Sequence, residues 1–569
     1  MKKLVLPLLA LGLLGAAAPA QYDIVIRGGT IYDGSGGRPY VGDVAVRGDR
    51  IVAIGPHVSG TGTSEIDARD KAVSPGFINM LAHPEESLLV DGRALSDLTQ
   101  GVTLEVMGEI SMGPLSPAMK REFLDQQGDV HIPIDWTTLG EYLDKLGQRK
   151  IAPNVATFVG ASTIRQYVLG SNDVQPTPEQ LVEMQKLTRE AMEQGALGLT
   201  DALIYTPATF AKTPELIALA KVSAQCGGIY TVHMRSEGDR LEEAVRETIE
   251  IAKASGAPAE IYHFKQAGRD NWGKIDAVIG MINAARESGT RISANMYTYT
   301  AGATGLDAAM PSWVQAGGTQ AWIARLTDPA IRARVKTEME NPHPETWENL
   351  YAGAGPDGML LLAFKNPALK PLTGKTLAEV AKMRGKSPEE TAMDLVVEDG
   401  TRVGVAYFLM SEDNVRKAIR QPWMSFGSDE AAPAPEGAFL LAKNHPRAYG
   451  NFARLLGHYV RDTKDITLAD AVRRLTSLPA DNLALRDRGR LKKGHFADIV
   501  VFNPATIQDH ATYEQSAVLS TGVIDVLVNG DFALRDGKPT GAGTGRIVRG
   551  RAATSGGCRA NARDWEWSK

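Results

Sequence analysis

At 569 residues, with 43% hydrophobic and 23% charged side chains, the chain has the make-up of a globular enzyme: one large domain plus one or two smaller modules. Lys+Arg 62 against Asp+Glu 67 leaves a net charge of −5, which argues against a nucleic-acid or anionic-membrane partner. With only Cys226 and Cys558 present, no disulfide framework is expected, and any metal has to be held by imidazole and carboxylate.

In chain order, residues 1–20 read as a secretory signal peptide. Lys2 and Lys3 precede the apolar run Leu4 to Leu14, and Ala18-Pro19-Ala20 offers a small-x-small cleavage site. The apolar run is too short to span a bilayer, and no Cys follows the cleavage point to carry a lipid. A periplasmic or secreted protein without a membrane anchor is therefore expected. Residues 21–72 alternate apolar and polar side chains between glycines, as in Ile24-Val25-Ile26-Arg27-Gly28-Gly29, which predicts short strands and hairpins. The same pattern returns within 486–550, in Ala497–Phe502 and Val523–Gly530, so both chain ends are expected to build one small β-sandwich.

Residues 73–485 alternate strand-like and helical stretches. Leu241 to Ala252 carries apolar residues at three- and four-residue spacing, Gly256 and Pro258 follow, and Ala259-Glu260-Ile261-Tyr262-His263 is strand-like. A helix over about 274–288 and a strand over 291–297 come next. Polar residues close successive strands at His233, His263 and Tyr297, 30 and 34 residues apart. A (β/α)8 TIM barrel of ~250 residues repeats about every 31 and gathers its site at the C-terminal strand ends. A doubly wound sheet has similar spacing but brings fewer side chains to one point. The expectation is therefore an α/β chain with a (β/α)8 barrel. The stretch 303–420 exceeds the repeat and reads as an inserted subdomain, with a helix over 328–340 and the Pro-rich Asn341-Pro342-His343-Pro344. Residues 551–569, with Gly556-Gly557, read as a flexible tail.

Two histidines on consecutive strand ends would point both imidazoles into one mouth, and two His plus a carboxylate with an open position is a catalytic zinc pattern. Asp429 ends the apolar run Met424-Ser425-Phe426 after Gly427-Ser428, where it serves either as a helix cap or as a general base toward a metal-activated water. Glu109 stands just past Gly108, where its carboxylate could reach the same metal.

Longer motifs point to one family. Ser74-Pro75-Gly76-Phe77-Ile78-Asn79, Gln100-Gly101-Val102-Thr103, Thr231-Val232-His233-Met234-Arg235, His445-Pro446-Arg447-Ala448-Tyr449-Gly450 and Gly494-His495-Phe496-Ala497-Asp498-Ile499 resemble the N-acyl-D-amino-acid deacylases of the amidohydrolase superfamily, over about residues 22–550. The resemblance implies Zn2+, with His233 and His263 as metal ligands, Asp429 as catalytic aspartate, Glu109 in a metal-ligand region, and Lys265 and Tyr297 at substrate-contacting positions. Arg447 is then either a clamp for the substrate carboxylate or part of a structural loop. One departure stands out. The family opens with His-x-His, whereas this chain has Met80-Leu81-Ala82-His83-Pro84. Leu81 cannot bind a metal, and His83 either stays near the site or bonds Glu85 or Glu86 at the surface. One tightly held zinc on Glu109, His233 and His263 is expected, with the second site weak or absent.

The leading functional reading is a zinc amidohydrolase acting on small N-acyl-amino acids, the D-series by resemblance alone. A dipeptidase, cyclic-amide hydrolase or lactonase would use the same site, and an exported non-catalytic binding paralogue is the remaining alternative. Oligomeric assembly stays open.

Overall fold

The computed structural model describes residues 22–558, so the expected signal peptide lies outside the described residues. One nine-stranded sheet draws on both ends of the chain. Tyr22–Ile31, Tyr40–Arg47, Arg50–Gly55, Gly62–Asp67 and Ala72–Pro75 come from the front, and Ile499–Phe502, Val523–Val528, Asp531–Arg535 and Lys538–Pro539 from the back. The seam is antiparallel, with Val73 opposite Val501 and Ser74 opposite Val500. Period-2 alternation sends Ile24 and Ile26 to one face, against Val44, Val46, Ile499 and Leu527, and Val25 to the other, against Ala45 and Val58.

The middle of the chain carries parallel strands, whose register lets consecutive strands be joined only through crossovers. A three-stranded parallel sheet holds Phe77–Ala82, Val102–Met107 and Asn154–Thr157. A six-stranded parallel sheet runs in the order Met424–Phe426, Ile292–Met296, Ala259–Ile261, Ile229–His233, Gly198–Ala202, Val159–Gly160. The two sheets meet twice. Asn154–Thr157 leads past one residue into Val159–Gly160. At the other edge, Asp429 N donates to Leu81 O at 2.8 Å and His83 N to Glu430 O at 2.8 Å. The helices Pro178–Gln194, Thr213–Gln225, Leu241–Ser255 and Ile275–Glu287 fill the crossovers. Leu241–Ser255 is representative. It buries Leu241, Ala244, Val245, Thr248 and Ile251, carries Glu242 and Glu243 in its first turn, and stops at Gly256, whose φ of 77° only glycine adopts without strain.

Between Met296 and Met424 the chain forms a separate antiparallel sheet, Ala301–Gly305 and Met359–Ala363 on either side of Gly404–Phe408. Leu306, Val314, Leu361 and Val405 belong to its own apolar cluster. No helix among the described residues is long and apolar enough to cross a membrane.

Two expectations need correction. Cys226 and Cys558 form a disulfide across 332 residues, although so sparse a cysteine content had argued against reliance on disulfides. The tail is also not free over its described part. Arg551–Thr554 is helical, Gly557 N donates to Ala552 O, and Cys558 N donates to Glu193 Oε1. Residues 559–569 lie outside the described residues. A cysteine's partner is set by where the chain returns in space, which local composition does not report. Closing so long a loop restricts the unfolded chain, by roughly 2–4 kcal/mol for a typical bridge. Cys558→Ser is accordingly expected to lower the thermal midpoint in differential scanning calorimetry without changing secondary structure, and an unchanged midpoint would show that the bridge contributes nothing.

Candidate metal centre

Five polar side chains leave the C-terminal ends of the parallel strands and converge. His83 follows Phe77–Ala82, Glu109 follows Val102–Met107, His233 ends Ile229–His233, His263 follows Ala259–Ile261, and Asp429 follows Met424–Phe426. Three of them sit on left-handed backbone: Glu109 at φ 67°, His263 at 33° and Asp429 at 53°. Such a conformation costs an L-residue about 1–2 kcal/mol and persists only where neighbours over-determine it. Here each strained amide is tied to an adjoining strand or the residues just past it. Glu109 N donates to Thr200 Oγ1 at 2.9 Å, His263 N to Asn295 Oδ1 at 2.9 Å, and Asp429 N to Leu81 O at 2.8 Å.

Glu109 is the hub. Its Oε1 lies 3.1 Å from His233 Nδ1 and 2.8 Å from His263 Nε2, while Oε2 lies 3.7 Å from His83 Nε2. His83 Nε2 is also 3.1 Å from Asp429 Oδ1, which brings His83 into the site rather than out to Glu85 or Glu86 at the surface. Two overlapping donor groups result, Glu109–His233–His263 and His83–Glu109–Asp429. The first is a compact N2O set of the kind zinc takes, with one oxygen of Glu109 between His233 Nδ1 and His263 Nε2. The residues fit the ion.

Charge keeps the two carboxylates ionised. Burial works to raise the Glu109 carboxyl, but the bonds from His233 and His263 and their charge hold it well below the carboxylate range. Asp429 likewise overcomes burial through the Arg447 charge, His263 and the bond from His83, and stays low. Against burial, the Asp429 bond and the surrounding carboxylates push His83 up to about 9.

The sequence reading missed Glu237, four residues past His233 in the loop that ends the strand. Its Oε1 is 3.0 Å from His263 Nδ1, its Oε2 is 3.6 Å from His233 Nε2, and both oxygens accept from Lys265 Nζ at 2.6 and 2.7 Å. Glu237 thus orients the His263 imidazole from behind and lies beside that of His233. No periodicity marks it, because it belongs to a loop. Lys265 and Tyr297 line the same cavity, although Lys265 spends its bonds on Glu237 and on His263 Nδ1 at 2.8 Å. Arg447 is not an open clamp. Its guanidinium is buried 2.7 Å from Asp429 Oδ2 and stacks 4.5 Å over the Tyr297 ring, so it already faces one carboxylate of the protein.

Comparison with known proteins shows the family. The family description "Amidohydrolase family" matches residues 64–533. The chain belongs to the amidohydrolase family. As a member it is a hydrolase of carbon–nitrogen amide-type bonds. It is 32% identical to the D-aminoacylase of Alcaligenes xylosoxydans xylosoxydans over 537 residues, 94% of this chain and 98% of that protein. A D-aminoacylase structure, described in terms of one-metal activation and second-metal attenuation of a binuclear centre, superposes with TM-score 0.77 at 31% identity, covering 93% of this chain and 100% of that one. The N-acyl-D-glutamate deacylase of Bordetella bronchiseptica, solved with zinc and a phosphonate inhibitor, superposes with TM-score 0.75 at 28% identity and the same coverage.

Because Glu237 orients His263 without belonging to either donor group, Glu237→Gln is expected to weaken zinc affinity roughly 10–100-fold while leaving the fold intact. A competition titration against a chromophoric chelator reads this directly, and an unchanged affinity would remove Glu237 from the support of the site.

Proposed function

We propose that the protein is an exported zinc amidohydrolase that hydrolyses N-acyl-amino acids, the D-series foremost. The observation that carries this reading is Glu109 between His233 and His263, with His83 3.7 Å from its other oxygen and hydrogen-bonded to Asp429. In this reading the nine- and three-plus-six-stranded layers are a β-sandwich from residues 21–72 and 486–550, and a (β/α)8 TIM barrel from 73–485 with an insert over 303–420. Export, proposed from the N-terminal signal, is supported by the Cys226–Cys558 bond, which persists in oxidising compartments.

Glu109, His233 and His263 would hold one zinc ion, and His83 with Asp429 offers a weaker second position because Leu81 replaces a histidine. When bound, the ion supplies a Lewis acid for the amide carbonyl and lowers the pKa of a water. Asp429 accepts the proton of the attacking water as its oxygen bonds to the acyl carbon. It then returns that proton to the nitrogen as the carbon–nitrogen bond breaks, releasing a carboxylic acid and an amine. Arg447 is the positioning residue for this exchange, since its charge holds Asp429 ionised and turned toward His83. Lys265 and Tyr297 face the cavity where the amino acid's carboxylate would be met.

Zinc-loaded protein should hydrolyse N-acetyl-D-amino acids faster than their L-enantiomers, and Asp429→Asn should lower kcat roughly 10²–10⁴-fold with an unchanged circular dichroism spectrum. Full zinc occupancy without hydrolysis of any N-acyl amino acid of either hand would overturn the proposal.

A further inference from the structure

Above the donors opens a cavity of about 870 Å³, walled by the chain after Val102–Met107, by the segment between Met296 and Met424, and by the loop after Asp429. That volume is near the top of the roughly 300–1,000 Å³ that encloses drug-sized ligands, and an N-acetyl amino acid leaves much of it unfilled. Between polar residues such as Glu85, Glu86 and Gln166, the walls carry apolar side chains that make up the larger part of the accessible lining. Ile110, Met119 and Phe123 line the first wall, Leu362 and Phe364 the second, and Phe439 the third.

Several charged residues around the cavity are engaged within the protein. Glu122 accepts from Gln166 at 2.9 Å and from Thr319 at 3.2 Å. Lys365 donates to the Asp125 carbonyl, and Lys443 to the Glu514 carbonyl at 3.1 Å. Lys370 Nζ reaches Asp129 Oδ2 at 2.6 Å and Leu441 O at 3.2 Å, so it pins all three walls together at the mouth. Beside that pin Leu440 and Leu441 are 54% and 55% exposed, continuing from Phe439 in the short turn Gly437–Leu440. Scattered exposed leucines are ordinary. Two in succession, directly after Phe439 of the cavity wall, place an exposed apolar patch next to that wall.

We infer that this cavity is an acyl-chain channel, and that the substrate's acyl group is a fatty chain of roughly eight or more carbons, long enough to bury its CH2 groups along the wall. This inference rests on the deacylase reading and names its substrate class. With the amide carbonyl beside Glu109, the chain passes Ile110 and Met119, leaves between Phe123 and Phe439, and lies against Leu440 and Leu441. Hydrolysis releases a fatty acid and a free amino acid, with the water's oxygen on the acyl carbon and its proton on the leaving nitrogen.

The test is a series of D-leucines acylated with two, four, eight and twelve carbons. The kcat/KM of the zinc-loaded protein should rise roughly threefold per added CH2 up to about eight carbons, and Phe439→Ser or Leu441→Ser should reduce the octanoyl-to-acetyl ratio. A wild-type ratio at or below one overturns the inference. Calorimetry with zinc-loaded Asp429→Asn protein separates the two readings. N-octanoyl-D-leucine should bind at least roughly 30-fold tighter than N-acetyl-D-leucine, and equal affinities overturn the channel. Chain-length-dependent binding without turnover of any member by the wild-type protein upholds the channel and sinks the deacylase reading alone.

Discussion

A carboxylate with one oxygen against two imidazoles and the other toward a third is the interaction around which the parallel strands are arranged. Glu109 can occupy that position only because its backbone turns left-handed after Gly108, and the same device carries His263 and Asp429 inward. The crowding at this point is severe. A Cβ on Gly108 would come within 2.3 Å of Tyr262 Oη, and one on Gly427 within 2.7 Å of Leu81 N. Glycine before each acidic residue is therefore a steric requirement of the converging strand ends.

Beneath the site the strands bury further polar groups that fix these ends. Asn79 Nδ2 lies 3.1 Å from Asp97 Oδ1, 3.0 Å from Glu105 Oε2 and 2.8 Å from Ser428 Oγ, while Asn79 Oδ1 accepts from Ser428 N at 2.8 Å. Burial pushes Asp97 up to about 7 and Glu105 well above the carboxylate range. Ser428 precedes Asp429, which links this floor to the carboxylate bonded to His83. On the next strands Glu260, raised by burial, accepts from Asn295 and Ser293 at 2.9 Å each, and Asn295 in turn receives the amide of His263. Buried polar networks of this kind favour one arrangement of the strands above them.

Leu81 shows how one side chain changes the character of such a centre. Its backbone carbonyl still anchors the Asp429 amide, but its apolar side chain is fully buried beside Gly108 and Gly427, where it offers no donor atom. His83 remains, bonded to Asp429 and facing Glu109. The two donor groups consequently differ in kind: one is a buried pair of imidazoles with a carboxylate, the other is half-buried and poorer in nitrogen.

The alternation of strands and helices, the positions of His233 and His263 at strand ends, the acidic residues after Gly108 and Gly427, and the pairing of β-rich ends were all legible in the sequence. Each depends on patterns within a few residues or on a repeat of fixed length, and the hydrophobic period reports those. Tertiary structure alone decided which groups meet across long separations. Cys226 found Cys558, Arg447 turned to Asp429 instead of standing open, and Glu237 came from an unpatterned loop to serve His263 and Lys265. Such contacts depend on the directions of side chains leaving neighbouring strands and loops. No local propensity encodes those directions until the sheets have assembled.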